Sequence, residues 1–127
     1  NDMRSILRRV DDGDADARLA LEMYVHRIKK YLGAYLAVRG GADAVVFTGG
    51  IGENAAPVRS GVCRGMEELG IVINEEKNEA HASGPRAIDA PTSRIRVLVI
   101  PTDEEREIAR LTKECIEGIP SGRGASR

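Results

Sequence analysis

Aromatic side chains are almost absent from this sequence of 127 residues: there is no tryptophan, one phenylalanine (Phe47) and three tyrosines. No stacking platform for nucleic-acid bases is visible, and the core must be built from Val, Ile, Leu and Ala. An excess of either charge is also lacking, with 19 basic and 20 acidic side chains. That balance argues against a nucleic-acid partner, which selects for a basic face, and leaves small anionic ligands open because they need only local charge. No apolar run is long enough to cross a bilayer and no secretory leader is visible. The two cysteines, Cys63 and Cys115, show no metal-ligand spacing. Each falls on the apolar face of an expected helix, so both read as buried free thiols in a reducing, cytoplasmic compartment. His26 and His81 have no second ligand at metal-binding spacing.

What is present is an ordinary globular mixture, 42% hydrophobic and 31% charged, of a length that suits one domain. The chain starts with Asn1 rather than Met, as an internal fragment or processed product would. Ile6, Leu7 and Val10 predict a short helix from Met3 to Asp12, stopped by Gly13. Leu21, Val25, Ile28, Leu32 and Leu36 recur at three- and four-residue steps and predict a longer helix over Asp16 to Arg39, ended by Gly40. Ala17, Tyr24, Tyr31 and Tyr35 are expected to widen its apolar stripe, which suits core packing or a subunit interface.

The run AVVFT (44–48) reads as a buried parallel strand. After the glycines that follow it, Val58, Val62, Met66 and Leu69 predict a helix of about four turns closed by Gly70. Residues 71–73 read as a short strand. A polar connection follows up to Ser93, with one brief strand near Ala87 and Ile88. IRVLVI (95–100) is the strongest strand in the chain, and a last helix is expected from Asp103 to Glu117. Residues 118–127 read as a disordered tail. Two strand–turn–helix units imply an α/β fold with a mainly parallel sheet flanked by helices. Ligands in such folds sit at the carboxyl edge of the strands.

Three groups of residues could carry chemistry. In TGGIGEN (48–54) the glycines permit a tight turn and close approach of a ligand to the backbone, and the next helix offers free N–H groups. The competing reading is a strand-to-helix turn with Asn54 as a helix cap. The segment is neither a Walker A loop nor a GxGxxG fingerprint. In TDEE (102–105) the acids suit a helix start, with Thr102 and Glu105 at capping-box spacing. A carboxylate there could equally hold magnesium against nucleotide phosphates. Asp2 and Arg4 fit either a helix start, or an Asp that accepts from sugar hydroxyls and an Arg laid against a base.

Taken together, these motifs resemble the acetate kinase family. Asp2-Met3-Arg4 is similar to the end of its Ser-Asp-(Met/Phe)-Arg motif. YVHRIKKYLGAY (24–35), ADAVVFTGGIGEN (42–54), GIVINEEKN (70–78) and VLVIPTDEEREIAR (97–110) match further family segments in the family's order. The resemblance implies an actin-like ATPase (ribonuclease H-like) fold, of which residues 1–117 would be part of the C-terminal nucleotide-binding domain. It implies an enzyme that transfers phosphate between ATP and acetate, giving ADP and acetyl phosphate, with Mg2+, as a homodimer. Asp2, Met3, Arg4, Gly50, Ile51 and Asn54 would contact adenosine, and Glu104 would match the acid associated with the metal. Gly49 departs from the family's commoner Ala, and Asp103 from its common Asn. The family's N-terminal phosphate loop, mid-chain His and phosphoryl-binding Arg residues have no counterpart here. The isolated chain is therefore expected to be inactive. Propionate kinase shares these motifs, while butyrate kinase is a poorer match to GGIGEN. A non-catalytic oligomerisation module is the reading from another class.

Overall fold

The computed structural model describes residues 2–102, 110, 113, 114 and 117. Two helices open the chain, α1 (Met3–Asp11) and α2 (Ala15–Arg39). Asp14 sets the turn between them. Its Oδ1 accepts from the Asp16 and Ala17 amides, and its Oδ2 accepts from Arg9 Nε at 2.9 Å. The long helix ends at Gly40, whose φ of 79° is the left-handed conformation that glycine adopts without strain. Leu21, Val25, Ile28, Leu32 and Leu36 do face the interior. The tyrosines do not: Tyr31 and Tyr35 are 62% and 66% exposed and Tyr24 is also exposed. With 3.6 residues per turn the five core-facing positions share an arc of about 80°, and the tyrosines lie beside one edge of it.

Strand β1 (Ala44–Phe47) follows, then α3 (Gly49–Asn54), α4 (Ala56–Cys63), a 3-10 turn (Glu67–Leu69), α5 (Glu75–Glu79), β2 (Arg86–Ala87) and β3 (Arg96–Val99). The sheet has the order β1-β3-β2. β1 and β3 are parallel, with Phe47 beside Val99, whereas β2 joins β3 antiparallel. The expected mainly parallel sheet is thus a small mixed one. β3 lies in its centre and every residue from Ile95 to Ile100 is buried. β1 is bordered by one described neighbour and is only half-buried, contrary to the reading of its apolar run.

Other expectations shift in detail. The helix read through to Leu69 stops at Cys63, because Gly65 takes a φ of 82° that α-helix cannot accommodate. Met66 remains in the core while Leu69 is 50% exposed. Residues 71–73 form no ladder; Ile73 makes a single bridge to Asp89. The polar connection contains α5, which Asn74 caps by accepting from the Lys77 amide. The final helix over Asp103 to Glu117 and the tail over 118–127 lie outside the described residues, apart from isolated positions.

Two apolar clusters hold the layers together. Leu36, Cys63, Met66, Ile71, Ile88, Ile95, Val97 and Val99 pack on one face of the sheet. Met3, Ala55, Val58 and Val62 join α1, α2 and α4 next to the strand ends. Helices α2 and α4 approach closely at Gly61, where an added Cβ would lie 3.0 Å from Val25 Cγ1. Cys63 is a free buried thiol, as its sequence position suggests, and burial pushes its pKa up to about 12. Cys115 lies outside the described residues.

Candidate functional site

The parallel pairing of β1 and β3 places two chain turns side by side at the carboxyl edge of the strands. Ile100 N donates to Phe47 O at 3.0 Å, where the two strands end. Thr48 then leads into the glycines, and Pro101 and Thr102 lead toward the acidic segment. A carboxylate bridges the two turns. Glu53 Oε2 accepts from Thr102 N at 2.9 Å and from Thr102 Oγ1 at 3.1 Å. The sequence reading required this proximity, and the strand order supplies it.

The glycine segment is not an open cradle. Gly49, at φ 81°, makes the turn, and residues 49–54 then form α3. Gly52 sits where an added Cβ would lie 3.2 Å from the Phe47 carbonyl carbon, so the helix rests on the strand end. Six residues are too few for a substantial macrodipole. The phosphate-binding role read for free N–H groups beyond the glycines therefore weakens. Asn54 is not an N-cap either. It is the last residue of α3, and its Nδ2 donates back to Gly50 O at 2.9 Å. Ala55 occupies the cap position before α4 without a side-chain bond.

Helix α1 starts opposite α3. Asp2 caps it, Oδ1 accepting from the Ser5 amide at 2.9 Å. The helix-start reading of Asp2 is therefore correct, but an ionised carboxylate has lone pairs for further donors. Arg4 Nη2 lies 3.7 Å from Asp2 Oδ2, and both side chains are solvent-exposed. Met3 is mostly buried and packs with Ala55, Val58 and Val62 at the floor of the same region. Between α1 and α3 is an open cleft of about 580 Å3 lined by Asp2, Met3, Arg4, Leu7, Gly50, Ile51, Asn54 and Ala55. All six residues expected to contact adenosine therefore line one cleft, although 46 positions separate the Arg4 and Gly50 sequence motifs. Glu104, the expected metal-associated acid, lies outside the described residues. Among the described residues no three His, Cys, Asp or Glu side chains converge to hold a metal.

The Ser5 amide, with help from Arg4, holds the Asp2 carboxyl below its ordinary 3.8. The Ala17 amide and then Arg9 do the same for Asp14. A carboxyl depressed by folding stabilises the folded state above 3.8, and that contribution is lost as pH falls through the lower folded value. Asp14→Ala should therefore lower the thermal midpoint clearly at pH 6 and much less at pH 2.5. Calorimetric melts at both values check this, and an equal deficit at both would contradict it.

Behind the cleft stands a group that reading the sequence missed. Arg59 of α4 is 2% exposed. Its Nη1 donates to Gly52 O at 2.7 Å and to Glu53 O at 3.0 Å, Nε donates to Asn78 Oδ1 at 2.6 Å, and Nη2 donates to Asn78 O at 2.7 Å. Burial pulls its pKa below the ordinary value, and an Arg starts high enough to keep its charge. The available signal was an Arg directly after Val58 in an apolar helix, which normally reads as a solvated side chain.

Residues 1–110 match the family described as Acetokinase family. The chain is 55% identical over 112 residues to the acetate kinase of Streptomyces avermitilis, covering 88% of this chain and 28% of that protein. It is 57% identical over 120 residues to the acetate kinase of a Sulfurovum species, covering 94% of this chain and 30% of the other. The crystal structure of Porphyromonas gingivalis acetate kinase superposes with a TM-score of 0.77 at 45% identity, over 91% of this chain and 29% of that one. A propionate kinase from Francisella tularensis superposes with a TM-score of 0.72 at 38% identity, over 86% and 27%. The chain thus spans about three-tenths of the length of these relatives.

Proposed function

The chain belongs to the acetokinase family, and from that membership we propose that the cleft between α1 and α3 takes the adenosine end of ATP or ADP. The observation that carries the reading is the convergence of Asp2, Met3, Arg4, Gly50, Ile51 and Asn54 on one cleft. The cleft suits such a ligand chemically. Ile51, Leu7 and Ala55 offer apolar surface to a base, the Arg4 guanidinium can lie flat on it, and Asp2 and Asn54 supply polar groups at the rim for ribose hydroxyls. Glu104 follows Thr102 by two positions, beyond the Glu53 bridge, and is assigned to Mg2+ bound with the phosphates.

The activity of the whole protein is then phosphate transfer between ATP and acetate, in the cytoplasm. The chain alone does not turn over, because transfer requires positioning and charge neutralisation at the moving phosphoryl group. A propionate substrate is the second reading, favoured by the superposition on a propionate kinase. Self-association is supported by the exposed apolar side chains of α2, among them Leu19, Met23, Tyr31, Tyr35 and Val38.

Calorimetric titration with ADP tests the nucleotide reading. Saturable binding is expected, and Asn54→Ala or Asp2→Ala should weaken it by about tenfold, the loss that follows one hydrogen bond to a polar ligand group. Undiminished affinity in both variants would reject this cleft.

A further inference from the structure

Arg59 presents an energetic question. A buried cation with good partners usually adds no more stability than a well-packed apolar side chain of similar volume. Its retention in a small aliphatic core needs another reason, and its hydrogen bonds point to one. The last carbonyls of a helix have no partners within the helix. In α3 these include the carbonyls of Gly52 and Glu53, and both are taken by the same nitrogen, Nη1 of Arg59. The guanidinium plane is rigid, so fixing Nη1 also fixes the direction of Nε and Nη2. Those two atoms are held by Asn78, at 2.6 and 2.7 Å. Asn78 is itself anchored, its Nδ2 donating to Ala56 O at 3.1 Å and to Ser60 Oγ at 3.0 Å. A continuous buried chain of hydrogen bonds thus runs from α5 through α4 to the final turn of α3. The free face of that turn carries Gly50, Ile51 and Asn54.

We infer that Arg59 is the positioning residue of the nucleotide-facing turn, and that Asn78 orients it. Arg59 does not line the cleft between α1 and α3. It acts through α3, by setting the height and tilt of a helix that is too short to be stable by itself. Without the clamp, α3 frays from its carboxyl end. Asn54 then loses its fixed relation to Gly50, and the cleft loses one wall. A lysine in its place supplies charge but no rigid fork, so it cannot hold two carbonyls and Asn78 at once. This inference rests on the nucleotide reading for its functional consequence, whereas the mechanical part stands separately.

The experiment separates the two. Amide hydrogen exchange of Glu53, Asn54 and Ala55 is measured by NMR in the full chain, alongside ADP affinity. Arg59→Lys should speed exchange at these amides by about tenfold or more, a local opening that leaves β3 unchanged. It should also raise the ADP dissociation constant by about tenfold, as expected when a binding group drifts from its place. Asn78→Ala should shift both quantities in the same direction by less, and serves if the lysine variant does not fold. Ile71→Ala, in the other apolar cluster, is the control for a general loss of stability and should leave α3 exchange unchanged. If Arg59→Lys and Asn78→Ala leave α3 exchange unchanged, or if Ile71→Ala speeds it equally, the positioning role is wrong. If exchange responds but the wild-type chain binds no ADP, the clamp stands and the nucleotide reading of this chain fails.

Discussion

Asp89→Ala should cost about 3–5 kcal/mol of folding free energy, the range for removing one member of a buried ion pair. Both side chains of the Asp89–Arg96 pair are nearly inaccessible, at 3% and 4% exposure. Asp89 Oδ1 accepts from Val97 N at 3.0 Å and from Arg96 Nε at 3.1 Å, while Oδ2 accepts from the same Nε at 3.0 Å. The carboxylate therefore satisfies both the central strand and the cation beneath it. Arg96 Nη1 is already buried without a hydrogen-bond partner among the described residues. Removing Asp89 would leave Nε without an acceptor as well. A stable domain has only about 5–15 kcal/mol in hand, so the loss takes a large share of it and the midpoint in urea should fall sharply. Urea melts followed by circular dichroism read this directly. Replacing both members together, as Asp89→Leu with Arg96→Met, should recover part of the loss, because no charge then remains buried, while the Val97 N–H still lacks its acceptor. A near-neutral single variant would show that water reaches this pair.

Ile88→Ala should cost about 2–5 kcal/mol, the range for truncating a fully buried aliphatic side chain. Ile88 is 0% exposed and belongs to the cluster formed by Leu36, Cys63, Met66, Ile71, Ile95, Val97 and Val99. Its backbone is held on both sides, its N–H donating to Val97 O and its carbonyl accepting from Asn74 N, each at 2.8 Å. The site thus has little freedom to collapse into the space left behind. The midpoint in urea should fall with an unchanged slope, since the surface exposed on unfolding barely alters. Leu69→Ala is the matched comparison and should fall within about 0.5 kcal/mol of the wild type, because an exposed position loses little. Comparable losses in both variants would contradict the assignment of core and surface here.

The contrast between these two residues shows what periodicity can and cannot reveal. Leu69 continues the apolar spacing of Val58, Val62 and Met66 without a break, yet Gly65 interrupts the helix and turns Leu69 outward. A glycine at that spacing reads equally well as a tolerated helical residue. β3 was legible because a run in which only Arg96 interrupts the aliphatic residues admits few other structures, and α2 because glycines bracket a long repeat. The tyrosines of α2 were misread because they flank the core-facing arc, three residues from Leu21, Ile28 and Leu32, and share its spacing. α3 was hidden by composition, since a segment with three glycines has poor helix propensity and forms here only with outside support.

The candidate site was legible in a different way. Composition alone left TGGIGEN, TDEE and Asp2-Arg4 ambiguous; among the described residues Asp2 proves to cap a helix, whereas Asn54 does not. Their order along the chain carried the resemblance to acetate kinases, and the family match over residues 1–110 bears it out. The convergence of residues 2–4 with residues 50–54 depends on tertiary packing of α1 against α2 and of α4 against both, which no local pattern records. Arg59 was missed because burial of a cation is intelligible only once its partners are known.

The central claim, that the cleft between α1 and α3 holds the adenosine end of a nucleotide, is tested most directly by titrating ADP into isotope-labelled protein and following backbone amides. Saturable shifts are expected at Arg4, Gly50, Ile51 and Asn54, with Ile88 and Val97 in the far core unmoved. Shifts confined to other parts of the surface, or none at saturating ADP, would contradict it.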